Sequence, residues 1–478
     1  MDVSVSALTM APSSGRIVKS FKKKGGTAHH KNHRWESFTT KISKLNSLDP
    51  LKRVVRHDLD VEDLATTTSY FKNGLEKWQE LSLSSSFIEF AREVTSLCDS
   101  LPHILYFEDQ IMDLLVAHLQ MKEKEAMEPL LQLLTDFAHD LGTRFEKHYA
   151  RALELVITIA RTFHDVEVIE WSFASLAFMF KYLSKLLVLD LRPTYDLMAP
   201  LLGKERQQPH IARFAAEAMS FLIRKAAAPA VREKALDTII QHVKSDLLKS
   251  YGSRQYELYF HGIMTMFAEA AKGSGLSIHS SGTTVIHSMF SLYDGGDFSD
   301  THVSPWADVI CGVLTSLIHH SSSDAFKDVI ATVLEQAAEA IDSFETDQTK
   351  QNFQCLMLSA KTMGILAGVR KGSRINDWPA LLSGLSEVLD ILSQKAKALV
   401  NQGNDPEFSG AVVLSTSITL QYAPMDTLIP FISRYMAALS TDFLSGYFFT
   451  FCSYFAEVNM ERFQSFVLPY FQRYGNPL

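Results

Sequence analysis

The chain has 478 residues, 46% of them apolar, with 15 Pro, 22 Gly and a formal net charge of −8. That length exceeds one ordinary compact core, so several domains or an extended repeat array is expected. Runs rich in Ala, Leu, Phe, Met, Glu and Lys, with little Val/Ile/Thr alternation, predict an all-α protein and argue against a sheet. The longest uncharged run, Phe408 to Met425, carries Ser409, Ser415, Thr416, Ser417, Thr419 and Gln421, so no membrane span is expected. The N-terminus has no apolar run of the secretory type. Cys98, Cys311, Cys355 and Cys452 stand far apart without a C-x-x-C pair, which predicts reduced core residues in a cytosolic or nuclear protein.

Charge is unevenly spread. Residues 1–56 hold 12 Lys/Arg against three carboxylates, a local +9, while the rest holds 34 basic and 51 acidic side chains, or −17. Residues 1–35 are rich in Ser, Gly, Lys and His without helical period and are expected to be disordered when free. Lys22, Lys23, Lys24, Lys31 and Arg34, with Trp35 beside them, form the chemically suggestive cluster. Such cations neutralise phosphates and an aromatic can stack on an unpaired base, and the same run would suit a nuclear import receptor. His29, His30 and His33 lie among these lysines and read as part of a basic tail rather than a metal site. Trp35, Phe38, Ile42 and Leu45 then step by 3, 4 and 3, an amphipathic element able to dock on a partner or on the body. Residues 1–60 are thus read as an arm and 61–478 as the folded body.

From Ser69 helical patterns run almost unbroken: 69–82, 85–99, 104–121, 126–141, 144–163, 166–187, 193–202, 209–226, 231–249 and 254–271. Pro102, Gly142, Gly203, Pro229 and Gly252 punctuate them. Every second helix from residue 126 starts 40, 43 and 45 positions after the last, the pitch of HEAT or armadillo-type pairs, so a HEAT/armadillo-like α-solenoid of antiparallel helix pairs is predicted. The helix at 166–187 organises the array. Ile169, Phe173, Leu176, Phe180, Leu183 and Leu187 form one apolar stripe, Asp165 stands at the N-cap, and Trp171, Phe178 and Tyr182 make a second aromatic face that needs another packed layer. After residue 271 the pitch is expected to loosen, with helices near 283–293, 305–320, 324–343, 351–369, 378–400, 408–421, 426–439, 443–456 and 459–473. The last of these are aromatic, with Phe449 and Phe455 among exposed candidates and no polar cap following. The chain is therefore expected to continue, or its end to be covered by further repeats or a partner.

Catalytic and cofactor motifs are not found: the sequence holds no phosphate loop, nucleophile elbow, H-E-x-x-H or cysteine quartet. Asp294, Asp297 and Asp300 lack the alternate-oxygen spacing of a calcium loop and read as a solvated turn. His319 and His320 end a helix, where the negative dipole end suffices to explain them. Gly273 and Gly275 follow no strand and make a very weak phosphate loop. On the helix at 209–226, Arg213 is expected to pair with Glu217 rather than extend a basic surface with Arg224 and Lys225.

The blocks YFKNGLEKWQELSLSSSFIEFAREV, PLLQLLTDFAHDL, IEWSFASLAFMFKYLSKLL and HIARFAAEAMSFLIRKA, in this order, resemble the amino-terminal region of the down-regulated-in-metastasis family of very large HEAT-repeat scaffolds. The clear match runs from about Ser69 to Lys225. The resemblance implies a nucleolar, non-enzymatic scaffold of the small-subunit processome, working in the context of the U3 small nucleolar ribonucleoprotein with pre-ribosomal RNA and other assembly factors. A HEAT-repeat transport adaptor, or a kinase or phosphatase scaffold binding protein partners, is the alternative reading of the same architecture.

Overall fold

The structure, a computed structural model, describes residues 33–52, 69–82, 84–205, 208–226, 233–272, 281–294, 304–399, 406–439 and 445–469. The expectations for Lys22, Lys23, Lys24, Lys31, His29, His30, Gly273, Gly275, Asp297 and Asp300 fall outside these residues. The chain divides into Met1–Arg34, of which His33 and Arg34 are described, and Trp35–Leu478. The amphipathic run at Trp35 belongs to the second unit, described below.

Among the described residues every regular element is helical. In chain order these are α1 (Phe38–Lys52), α2 (Tyr70–Leu81), α3 (Ser85–Val94), α4 (Leu101–Tyr106), α5 (Glu108–Gln120), α6 (Lys124–Leu141) and α7 (Glu146–Thr162). There follow α8 (Val166–Leu187), α9 (Arg192–Met198), α10 (Pro209–Ala226), α11 (Glu233–Ser250), α12 (Tyr256–Ala271), α13 (Gly282–Asp294) and α14 (Ser304–His320). The remainder are α15 (Ser323–Thr346), α16 (Lys350–Gly368), α17 (Trp378–Leu399), α18 (Pro406–Ser409), α19 (Ser415–Tyr422), α20 (Met425–Leu439), α21 (Ser445–Val458) and α22 (Met460–Arg462).

Packing sorts these helices into two layers. In one, α2, α6, α8, α10, α12, α14, α16 and α19 touch in succession; in the other, α3, α5, α7 and α9 do, and then α11, α13, α15, α17 and α20. Each helix thus buries one face on its own layer and another on the opposite layer, which is an α-solenoid stabilised between neighbours. Within the first layer Lys124, Val166, Pro209, Tyr256, Ser304 and Lys350 open successive helices 42, 43, 47, 48 and 46 positions apart. From Lys350 to the next helical stretch of this layer, which opens at Pro406, the step is 56 positions, so the pitch loosens after residue 271 as expected.

α8 has the predicted ends because its signals are local: Asp165 accepts hydrogen bonds from Glu167 N and Val168 N, and its apolar stripe is buried throughout. Phe173 lies flat on Phe214 of α10 at 3.8 Å between ring centres, and Ser175 Oγ donates to the Leu131 carbonyl of α6 at 3.3 Å. The second aromatic face is only half covered. Trp171 and Phe178 are partly buried, Tyr182 is 36% exposed, and the His139 ring of α6 lies against Phe178 and Tyr182 at 5.9 and 5.0 Å.

Several expected helices are interrupted among the described residues. The helix at 104–121 divides at Phe107, because Ser100 caps α4 early and Pro102 suits its first turn. The one at 193–202 opens after α9 into a wide turn at Pro200–Lys204, where Gly203 has φ 110° and a Cβ would meet the Leu258 carbonyl oxygen at 2.8 Å. The one at 408–421 contains a wide turn at Gly410–Leu414. At the last helices, of the two candidates for exposure, Phe449 is exposed as expected and Phe455 is not. Phe451 and Phe455 are buried, their rings 5.6 Å apart, while Phe449, Val458, Met460 and Leu468 stand exposed. Helical period alone cannot say which aromatics face inward when nearly every position is aromatic.

Candidate interaction surface

The root of the basic arm is built on the body. Phe38 is 1% exposed and meets the rings of Phe180, Phe214 and Phe221 at 6.0, 5.5 and 5.5 Å, so α1 fills a groove between α8 and α10. Ile42 is buried one turn on. Trp35 is half-buried, stacked on His210 at 3.8 Å and 7° and tilted against Phe173 at 6.2 Å. Its indole therefore anchors the entry of the chain.

Charge locks the same place. Lys41 Nζ donates to Glu170 Oε2 at 2.6 Å and to the Glu170 carbonyl at 3.4 Å, and Glu36 N donates to Glu170 Oε1 at 3.1 Å. Lys44 also bonds Glu36, and that bond, with Lys41 nearby, holds the Glu36 carboxyl below its usual value. Lys41 is thus spent on the body, whereas Arg34, just ahead, is exposed.

Elsewhere on the body several basic side chains meet carboxylates. Arg144 and Lys147 of the α6–α7 corner and helix reach Glu108 at 2.9 and 2.7 Å, Arg151 reaches Asp113, Arg192 reaches Asp190, and Arg434 reaches Asp390. Arg213 pairs with Glu217 as expected, at 3.2 Å. Arg224 donates to the Glu269 carbonyl at 2.6 Å, and Lys225 lies over the Phe221 ring, so neither extends a basic face from the arm. Tyr195, Tyr259 and Lys204 converge on Asp246, joining α9, α11 and α12 through a buried network. It links helices rather than opening on a substrate space.

Two depressions open beside these helices. One of about 500 Å³ is lined by Glu108, Thr143, Arg144, Glu146 and Lys147. One of about 230 Å³ between α5 and α7 has an apolar floor of Val116, Leu119, Leu155 and Ile159. Burial pushes the thiols of Cys98 and Cys452 up to about 11 and about 12, which makes them poor nucleophiles. No group of three or more potential metal ligands occurs among the described residues, and none of their helices is long and apolar enough to cross a membrane.

No model of a protein family matches the chain. It is similar to U3 small nucleolar RNA-associated protein 20 of Schizosaccharomyces pombe, 30% identical over 449 residues, which is 94% of this chain and 16% of that protein. It is also similar to the protein of the same name from Saccharomyces cerevisiae, 28% identical over 360 residues, 75% of this chain and 13% of that protein. The chain thus spans about a sixth or less of the length of these relatives. A match of 449 residues extends well past Lys225, where the resemblance in sequence blocks stopped. Through this similarity along nearly all of its own length, the chain belongs to the U3 small nucleolar RNA-associated protein 20 family.

Proposed function

We propose that this chain is part of a non-enzymatic helical scaffold of the small-subunit processome, acting in the nucleolus in pre-ribosomal RNA processing and small-subunit assembly. The observation that carries this reading is the 30% identity over 94% of the chain to a protein named for its association with U3 small nucleolar RNA. A stack of helices with two long exposed faces suits the role, because each repeat offers surface to a different partner. In this reading Lys22, Lys23, Lys24, Lys31 and Arg34 meet pre-ribosomal RNA or an import receptor, Trp35 fixes where the arm leaves the body, and the helical faces meet other assembly factors.

Crosslinking the tagged natural protein to RNA, followed by sequencing, tests the proposal. Enrichment of pre-ribosomal RNA or U3 RNA is expected. Recovery of a nucleotide-state-dependent GTPase or a single kinase or phosphatase, without pre-ribosomal RNA, would overturn it in favour of an adaptor or signalling scaffold.

A further inference from the structure

At the shared end of α14 and the turn after α16, five basic side chains gather. His319 and His320 close α14; Arg370 and Lys371 follow α16, its neighbour in the same layer; Arg374 folds back across them. Arg374 Nη2 donates to the carbonyls of Ser321 and Ser322 at 2.7 and 2.6 Å, and its guanidinium lies over the Phe326 ring at 4.2 Å. Neutral carbonyls orient the group without cancelling its charge, and Nη1 is enclosed with no acceptor. The charged neighbour of Arg374 is Arg370, and those of His319 are His320 and Arg374. All are cations. Asp377, three residues on, accepts from Ala380 N at 3.1 Å and caps α17, keeping its negative charge there.

The backbone beneath the cations is unusual. Arg370 and Lys371 have φ of 46° and 55°, and Gly372 follows with φ 74°. Glycine would adopt this left-handed turn without steric cost, whereas an arginine and a lysine do so against their Cβ atoms. Gly372 is required, since a Cβ there would stand 2.5 Å from Trp378. Arg370 and Lys371 have no such reason to be there, and both side chains are exposed. Strain of this kind is kept where it serves a site. The turn is held by Ser373 N to Arg370 O and Ile375 N to Gly372 O, both 3.2 Å, and by buried Trp378, so its cations are placed in advance.

The C-terminal dipoles of α14 and α16 point negative ends here, each worth about half a charge. Three permanent cations outweigh them. Two exposed positive charges on a fixed turn, without an enclosing cavity, suit successive phosphates of a polymer better than one small anion. We propose that Arg370 and Lys371, on a turn that Arg374 pins to the end of α14 and with His319 and His320 beside them, bind the phosphate backbone of RNA, giving the acidic helical body an RNA contact separate from the arm. The choice of RNA among polyanions rests on the ribosome-assembly reading above.

The test is fluorescence anisotropy of the 478-residue chain with a labelled single-stranded RNA, at several salt concentrations, for the parent, R370G/K371G, and a chain with Ser at 22, 23, 24, 31 and 34. Glycines fit the left-handed turn, so the thermal midpoint of R370G/K371G is expected to hold or rise. Its affinity should fall about tenfold near 0.15 M salt, with the log–log slope reduced by about 1.4 for two lost phosphate contacts. Unchanged affinity and slope in R370G/K371G, with loss only in the arm variant, would overturn the proposal, as would tighter binding of a phosphoserine peptide than of RNA at this turn. Either result leaves the cellular crosslinking to decide the ribosome-assembly reading on its own.

Discussion

An alanine at position 262 would set its Cβ 1.9 Å from the Leu202 carbonyl oxygen, so the glycine is what lets α12 lie against the wide turn after α9. Backbone cannot yield as a flexible side chain does. Gly262→Ala should therefore cost at least about 1–3 kcal/mol, the range for overpacking, and lower the thermal midpoint. Asp140 makes a second such point: its carboxylate accepts from Ser69 Oγ, Tyr70 N and Phe71 N at 2.6, 3.0 and 2.9 Å, so a residue of α6 caps α2. Asp140→Ala should expose the first turn of α2 to hydrogen exchange and cost about 1–2 kcal/mol, as helix caps do. Glu108 sets a pH dependence. Burial pushes its carboxyl up, but hydrogen bonds from Arg144 and Lys147 outweigh that and hold it below the usual 4.5. A depressed carboxyl stabilises fully above its unfolded value, and that stability is lost as pH falls below about 4.5 through the folded one. Thermal scans from pH 6 to pH 3 should show this loss, and R144A/K147A should flatten it.

Among the elements, α1 is bound by a short contact, since one ring and one ion pair carry most of it. Phe38→Ala deletes a ring buried among three others and should cost about 3–5 kcal/mol of docking. The rest of the stack depends on other contacts, so the expected outcome is local release. Residues 38–45 should exchange quickly while α8 and α10 keep most of their protection. Global unfolding at the same denaturant concentration as release would show that α1 is integral to the body. The period at Trp35, Phe38, Ile42 and Leu45 made the amphipathic face legible in sequence. What it docks on was not legible, because the groove is assembled from Phe173, Phe180, Phe214 and Phe221 on two helices some 40 residues apart.

For the molecule as a whole, charge asymmetry makes the arm a salt-sensitive tether on an acidic body. Replacing Lys22, Lys23, Lys24, Lys31 and Arg34 by Ser should weaken RNA binding and remove about 0.7 from the log–log salt slope per lost phosphate contact. If affinity and slope stay at the parent values while nuclear entry fails, the cluster serves import. The exposed apolar groups of the last helices predict self-association at high concentration, through Phe449 and Met460 rather than the buried Phe455. F449S/M460S should lower the sedimentation-average mass, and F455S should instead lower stability.

By itself the sequence determined that the chain is helical, where most helices begin and end, and the pitch at which they recur, since these depend on periodicity, caps and Gly or Pro within a few residues. The ends of α8 and α10 were read to the residue for that reason. Only the tertiary structure decided which aromatics of α21 point inward, that Trp35 rests on His210, and that Gly262 must be bare. It also decided that His319 and His320 meet Arg370, Lys371 and Arg374 across some 50 positions. Read alone, the two histidines needed nothing beyond a helix end; beside the exposed Arg370 and Lys371 they belong to a surface. Such groupings form because stacking brings the ends of alternate helices together, and no local pattern of residues records which ends those will be.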